Sequence, residues 1–300
     1  MAVPPLVDPP AFLMGDSPVM ERVRADLKRL AAVPFHVRIE GESGTGKSVA
    51  AHLLHLMSSR RKGPFVECNL GTLTNGTAAG DLLGSRKGAY TGAEDRPGVF
   101  EVAHGGTAFL DEIADAPREA QRVLRDVVDT GCVRRKGEVR GREVDVRCVF
   151  ATNANLERRV TGERFLHDLL KRLGLLVVRM PSLAEHGEDI PLLLTHLLAS
   201  KAWQAACPVP EVSAADLERL QGYDWPGNVR ELGKVAEYLL VFGRLPALTR
   251  RRKGRGAWRS EVPTALAACG GNRARAARQL GVSRQALQHA LRAAGGTGRV

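Results

Sequence analysis

The segment Gly41-Glu42-Ser43-Gly44-Thr45-Gly46-Lys47-Ser48 constrains this chain more than any other. It follows the apolar run FHVRI (35–39) and leads into the helix-period stretch SVAAHLLHLM. The eight residues fit G-x-x-x-x-G-K-[S/T], a pattern that arises by chance in a chain of 300 residues with a probability on the order of 1%. Glycines at these spacings let the backbone wrap, so that its N–H groups and the N-terminus of the next helix face phosphate oxygens. Lys47 is then expected to pair with the β- and γ-phosphates of a nucleotide, and Ser48 to offer its hydroxyl to Mg²⁺.

A phosphate loop of this kind requires a parallel sheet behind it, and the pattern of the chain agrees. Short apolar runs at 35–39, 64–68, 107–111, 146–152 and 175–180 alternate with helix-length segments, which predicts an α/β core. The third run, in GGTAFLDE (105–112), ends in Asp111 and Glu112. An acidic residue at a strand end supplies the second metal anchor, so Asp111 is expected to hold Mg²⁺ through its shell. Glu112, one residue on, is placed to polarise the water that attacks the γ-phosphate.

After Pro181 only helical patterns remain: 188–206, 213–220 and 228–243. They predict a small helical subdomain, followed by an Arg- and Gly-rich linker, PALTRRRKGRGAWRS (246–260). With 44% hydrophobic residues the chain can bury one sizeable core and carry one or two small domains besides. No apolar run approaches the roughly 18 residues of a membrane span, and the start has no signal-peptide pattern, so a cytoplasmic location without membrane association is expected. The five cysteines are scattered with no C-x-x-C pair, which argues against a zinc site or a disulfide framework. Charge is segregated: residues 244–300 hold 13 of the 44 Lys and Arg but one of the 33 Asp and Glu, a balance of +12 that leaves −1 for residues 1–243. Such a cluster is an electrostatic footprint for nucleic acid.

Together with these two nucleotide motifs, the segment Gly88-Ala89-Tyr90-Thr91-Gly92-Ala93 makes the chain resemble a known family. It looks like the AAA+ ATPase domain of the sigma-54-dependent activators followed by a Fis-type DNA-binding domain, over residues 13 to about 295. The GAYTGA segment is similar to the family's GAFTGA loop, which contacts sigma-54; Tyr90 replaces the usual Phe, keeping an aromatic tip between glycine hinges. The resemblance implies ATP and Mg²⁺ as cofactors, sigma-54 RNA polymerase holoenzyme and enhancer DNA as partners, and a homo-oligomeric ring, commonly a hexamer. It implies a short tail (1–12), an AAA+ P-loop parallel-sheet core (13–181), an α-helical lid (182–245), the linker (246–260) and an all-α helix-turn-helix domain (261–295).

Further residues carry over by position. Asn69, at the end of the second strand, matches the asparagine that restrains the catalytic glutamate, with turn capping as the alternative. Thr152 and Asn153 in ATN (151–153) match sensor I, and Arg230 in WPGNVREL (225–232) matches the arginine that reaches the nucleotide from the lid, with a surface helix residue as the alternative. FLHDLLKRL (165–173) departs from the pattern. The family has two arginines there that act on the neighbouring subunit's nucleotide; here Leu166 stands at the first position and Arg172 remains. Arg164 precedes Phe165 and is a candidate substitute, but its side chain starts from a different helix face. An arginine supplied in trans is worth about 10³–10⁵ in rate, so hydrolysis is either weak or carried by Arg172 alone. About a dozen proline-rich residues precede the ATPase segment where many relatives carry a sensing domain, so signal input is expected from a separate protein, unless the chain is unregulated or a fragment.

The segment 261–294 reads as three short helices with helix-turn-helix spacing: Asn272 caps one helix, Gly281 ends it, and Ser283 caps the next. Ala276, Leu280, Val282 and Leu287 form the expected core. Arg284, Gln285 and Gln288 are left to reach base edges, and Arg273, Arg275 and Arg278 to meet phosphates. Such domains bind palindromes as dimers. The whole predicts an ATP-dependent transcriptional activator. The alternative is a DNA-binding regulator that uses ATP binding as an assembly switch with weak or no hydrolysis; a generic P-loop ATPase acting on DNA leaves GAYTGA unexplained.

Overall fold

The computed structural model describes residues 13–89 and 94–248, together with Val262, Ala265, Leu266, Cys269, Asn272, Arg273, Arg275, Ala276 and Leu287. The chain divides into two compact units, Met1–Pro246 and Ala247–Val300.

In the first unit, helix α1 (Pro18–Ala31) starts on Ser17, whose side chain accepts from the Met20 N–H, and buries Met20, Val23, Leu27 and Ala31 along one face. Strand β1 (Val37–Glu40) follows, then α2 (Lys47–Leu56) and β2 (Phe65–Asn69). Next come α3 (Ala78–Leu83), a two-stranded hairpin of β3 (Gly84–Ser85) and β4 (Arg96–Pro97), α4 (Val99–Val102) and β5 (Thr107–Asp111). Helix α5 (Arg118–Thr130) buries Ala120, Gln121, Leu124 and Val127, and stops at Gly131, whose φ of 60° suits the left-handed cap. A second hairpin, β6 (Cys132–Val133) and β7 (Arg142–Glu143), precedes β8 (Arg147–Thr152), α6 (Leu156–Thr161), α7 (His167–Arg172) and β9 (Val177–Arg179).

Strands β1, β2, β5, β8 and β9 form one parallel sheet in the order β2-β5-β8-β1-β9. Because side chains alternate along a strand, successive residues feed two cores. Ala108, Leu110, Cys148 and Phe150 face α3, α5 and α7, while Phe109, Val149, Ala151, Val37 and Ile39 face α1 and α2. A parallel sheet covered on both sides reads as continuous apolar runs, which is why five short runs located all five strands. The lid then adds α8 (Ile190–Ala205), α9 (Ala214–Gln221) and α10 (Asn228–Phe242), with α8 packed on α10. Among the described residues no helix is long and apolar enough to cross a membrane.

In the second unit Asn272 behaves as the expected cap. Its Oδ1 accepts from the Arg275 N–H at 3.1 Å, and its carbonyl accepts from the Ala276 N–H at 3.0 Å. Ala276 and Leu287 are buried with Val262 and Ala265, and Arg273 and Arg275 are exposed. Leu280, Val282 and the expected DNA contacts Arg278, Ser283, Arg284, Gln285 and Gln288 lie outside the described residues.

Candidate active site

Parallel strands end together, and here the ends assemble the site. Asn69 pairs in register with Asp111, Leu110 with Phe150, and Glu40 with Thr152. The phosphate loop leaves β1, so it crosses the carboxyl edge of the sheet next to the Asp111 strand end, where open α/β sheets bind ligands. Gly44 and Gly46 take φ of +83° and +93°, backbone that only glycine adopts without strain. At Gly44 a Cβ would also stand 2.3 Å from the Gly227 carbonyl oxygen of the lid.

A cleft of about 250 Å³ opens there, lined by Ser43, Gly44, Gly46, Lys47, Ser48, Asp111, Glu112, Asn153, Val229 and Arg230. Lys47 Nζ donates to the carbonyls of Gly41 at 2.8 Å and Glu42 at 2.9 Å, which keeps the ammonium over its own loop. Burial holds its pKa below the ordinary lysine value, the Asp111, Glu112 and Glu42 carboxylates pull it back up, and Arg230 pushes it further down. Thr45 braces the loop by donating to the Glu42 carbonyl at 2.9 Å. Asp111 Oδ1 accepts from the Glu112 N–H at 2.9 Å, and Glu112 itself sits at φ 56°, ψ 41°, a turn that swings its carboxylate away from the strand direction. Arg230 Nη1 donates to Ser43 Oγ at 2.7 Å, joining lid and loop.

Three sequence-derived residues sit differently from the simplest expectation. Asn69 Oδ1 accepts from the Gly71 N–H at 2.9 Å and so caps the turn Leu70–Thr72. Among the described residues no hydrogen bond joins Asn69 to Glu112, although a Cβ on Gly71 would meet Glu112 Oε2 at 2.5 Å and Asn69 Oδ1 at 3.2 Å. Thr152 is buried beneath the cleft: its Oγ1 accepts from the Ala154 N–H at 3.0 Å and its carbonyl accepts from the Gly41 N–H at 3.1 Å, leaving Asn153 at the surface. Arg172 lies on α7, ion-paired to Asp129 of α5 and donating to the Asp168 carbonyl at 3.0 Å. Leu166 caps the start of α7, packs against the core, and its N–H donates to Gln121 Oε1 at 2.8 Å.

The GAYTGA segment bridges β3 and β4. Gly88 has φ +84°, and the Ala89 N–H donates to the Arg86 carbonyl at 3.1 Å; Tyr90 to Ala93 lie outside the described residues. The base of this hairpin is joined to the neighbouring one by the Arg86 N–H on the Lys136 carbonyl and the Lys136 N–H on the Gly84 carbonyl, both 3.0 Å. Glu101 beside them receives Arg135 at 2.7 Å and Arg142 at 2.9 Å. The Arg135 hydrogen bond, opposed by burial and aided by the charges of both arginines, holds its carboxyl below the usual range.

Sequence reasoning missed Asn228. It lies within WPGNVREL, yet only Arg230 was singled out. Its side chain is fully buried between lid and loop. A polar residue directly after Pro-Gly at a helix start is the signal that pointed to it.

Comparison with known proteins gives three family matches. The sigma-54 interaction domain matches residues 13–179, the AAA+ ATPase lid domain residues 184–251, and the bacterial regulatory protein Fis family residues 262–293. The C4-dicarboxylate transport transcriptional regulatory protein DctD of Pseudomonas aeruginosa is 42% identical over 226 residues, 75% of this chain and 49% of its own length. The DNA-binding transcriptional regulator NtrC of Escherichia coli is 42% identical over 238 residues, 78% of this chain and 50% of its own length. The chain thus spans about half the length of these curated relatives. The crystal structure of NtrX from Brucella abortus in complex with ATP superposes with a TM-score of 0.73 at 32% identity, covering 94% of this chain and 69% of that one.

Proposed function

The chain belongs to the sigma-54 interaction domain family, and from that premise we propose that it is an ATP-hydrolysing transcriptional activator. It binds enhancer DNA and remodels sigma-54 RNA polymerase holoenzyme, acts in the cytoplasm, and works as a homo-oligomeric ring, a hexamer in the family's usual form. One observation carries the reading: Lys47, Ser48, Asp111, Glu112, Asn153 and Arg230, drawn from four separate segments, line a single cleft. NtrX, whose structure is solved with ATP, supports the nucleotide assignment.

In that cleft, Gly41 to Gly46 with Lys47 bind the β- and γ-phosphates of ATP, and Ser48 and Asp111 hold Mg²⁺. No group of three or more His, Cys, Asp or Glu among the described residues forms a metal site of its own. The donor set of one hydroxyl and one carboxylate fits Mg²⁺, which keeps several waters and takes its other ligands from substrate phosphates. When bound, the ion neutralises charge building up between the phosphates. Glu112 orients the attacking water and accepts its proton; Asn69 restrains that carboxylate, which requires its side chain to leave the Gly71 N–H. Asn153, set by buried Thr152 at the strand end, reports on the γ-phosphate, and Arg230 reaches the nucleotide from the lid by leaving Ser43. Arg172 completes the neighbouring subunit's site, which requires exchanging Asp129 for phosphate. The loop from Gly88 through Tyr90 to Ala93 delivers the motion to sigma-54. Arg273, Arg275 and Arg278 hold DNA phosphates, and Ser283, Arg284, Gln285 and Gln288 face the bases.

Transcription in vitro from a sigma-54 promoter, with ATP against a non-hydrolysable analogue, tests the reading. We expect open complexes with ATP only, and Glu112→Gln to lower phosphate release by about 10²–10⁴-fold, the span of a general base. Binding of ATP without phosphate release by the parent protein would favour a regulator that uses ATP as an assembly switch.

A further inference from the structure

Asn228 has the attributes of a joint. It stands at φ +50°, a left-handed conformation that asparagine and aspartate tolerate and most residues do not. It is 0% exposed, and its amide is divided between two bodies. Oδ1 accepts from the Leu183 N–H at 2.7 Å, which fixes it to the first turn of the lid. Nδ2 donates to Glu42 Oε2 and to the Ser43 carbonyl, both 3.1 Å, which fixes it to the phosphate loop. The adjoining Gly227 carbonyl presses on Gly44 so closely that no side chain fits between them. Ser43 is therefore held twice from the lid: at its carbonyl by buried Asn228, and at its hydroxyl by exposed Arg230. A buried amide with all its partners inside the protein is costly to displace, whereas an exposed guanidinium on a flexible stem moves freely.

We infer that Asn228 is a positioning residue of the nucleotide site: the pin on which the lid hangs from the phosphate loop, so that Arg230 can leave Ser43 for a phosphate while the lid keeps its place. Glu42, a variable position of the loop pattern, is the pin's acceptor. The inference rests on the nucleotide reading of the cleft.

A donor–acceptor swap tests it. The substitution N228D keeps the backbone conformation and the acceptor for Leu183, but sets a carboxylate against Glu42 and the Ser43 carbonyl. E42Q then returns a donor to face it. In the full-length chain we expect N228D to weaken binding of the fluorescent analogue mant-ADP about tenfold and to raise KM for ATP more than it lowers kcat. E42Q alone sets the baseline for the altered loop, and N228D/E42Q should come within about threefold of that baseline, whereas N228D in the Glu42 background stays about tenfold below the parent. Melting curves accompany each variant. The inference is overturned if N228D binds mant-ADP like the parent, or if E42Q restores the melting midpoint of N228D without restoring affinity. A parent protein that binds no mant-ADP removes the nucleotide reading and the pin together. A parent that binds and hydrolyses, with no rescue in the double variant, removes the pin alone.

Discussion

Leu166 occupies the position at which the family resemblance implies a trans-acting arginine, and here it is a partly buried side chain packed against the core. It packs beside Phe165 and Leu169, and its N–H is held by Gln121, which is itself buried and donates to the carbonyls of Ala116 and Arg164. An arginine there gives up part of the apolar contact that the leucine makes with the core. We expect Leu166→Arg to cost about 1–3 kcal/mol in urea unfolding and to leave phosphate release within about threefold. A rise toward the 10³-fold scale of a trans arginine would show that the site lacked only the charge. Cys148 makes a second residue-level case. Burial pushes its thiol up to about 12, with Arg60 pulling weakly the other way. Since the thiolate is the nucleophile, iodoacetamide at pH 8 should leave Cys148 unmodified in the native protein and label it in urea. Native labelling of Cys148 ahead of the partly exposed Cys207 would contradict this. Residue identities were legible in the sequence wherever a motif set their spacing, as at Lys47, Asp111 and Glu112. They were not legible for Gln121 or Leu166, whose roles depend on what lies across the core.

Between elements, Asp189 joins the N-terminus of α1 to the lid. Its carboxylate accepts from the Asp16 N–H at 2.7 Å, the Ser17 N–H at 3.0 Å, the Ser17 hydroxyl at 2.6 Å and His186 Nδ1 at 3.0 Å. Burial alone raises its pKa, but the Ser17 hydroxyl, the two amides and His186 outweigh it and hold the carboxyl below the ordinary aspartate value. A depressed folded pKa contributes stability that is complete above the unfolded value of about 3.9 and is lost as pH falls through the folded one. Asp189→Asn should therefore cost about 1–3 kcal/mol at pH 7, and urea midpoints of parent and variant should converge as pH drops below 4. A gap that persists undiminished at low pH would assign the loss to packing. The strands and lid helices were readable from periodicity, to within about two residues at most ends. The two short hairpins were not, because two-residue strands carry no period and exist through pairing alone.

At the scale of the molecule, charge separates the chain into a near-neutral part before residue 244 and a basic one after it. If the basic unit grips DNA mainly through phosphates, raising salt from 50 to 200 mM should weaken binding by about 10²-fold or more. Exposed Arg275→Ala should weaken specific and random DNA together and reduce the salt slope by about one. Gln285→Ala, at a position outside the described residues, should instead change sequence preference. Equal losses on both DNAs for Gln285→Ala would remove its base-reading role. Contiguous sequence was sufficient for the phosphate loop, the five strands, the acidic strand end and the segregated charge, because glycine conformations, strand alternation and charge density are properties of neighbours along the chain. Only the tertiary structure brought Asn228 under a loop 186 residues away, seated Asp189 on Ser17, and turned Arg172 onto Asp129. Those contacts follow from the β2-β5-β8-β1-β9 strand order and from how the lid closes over the sheet edge, and neither leaves a periodic trace in the residues that make them.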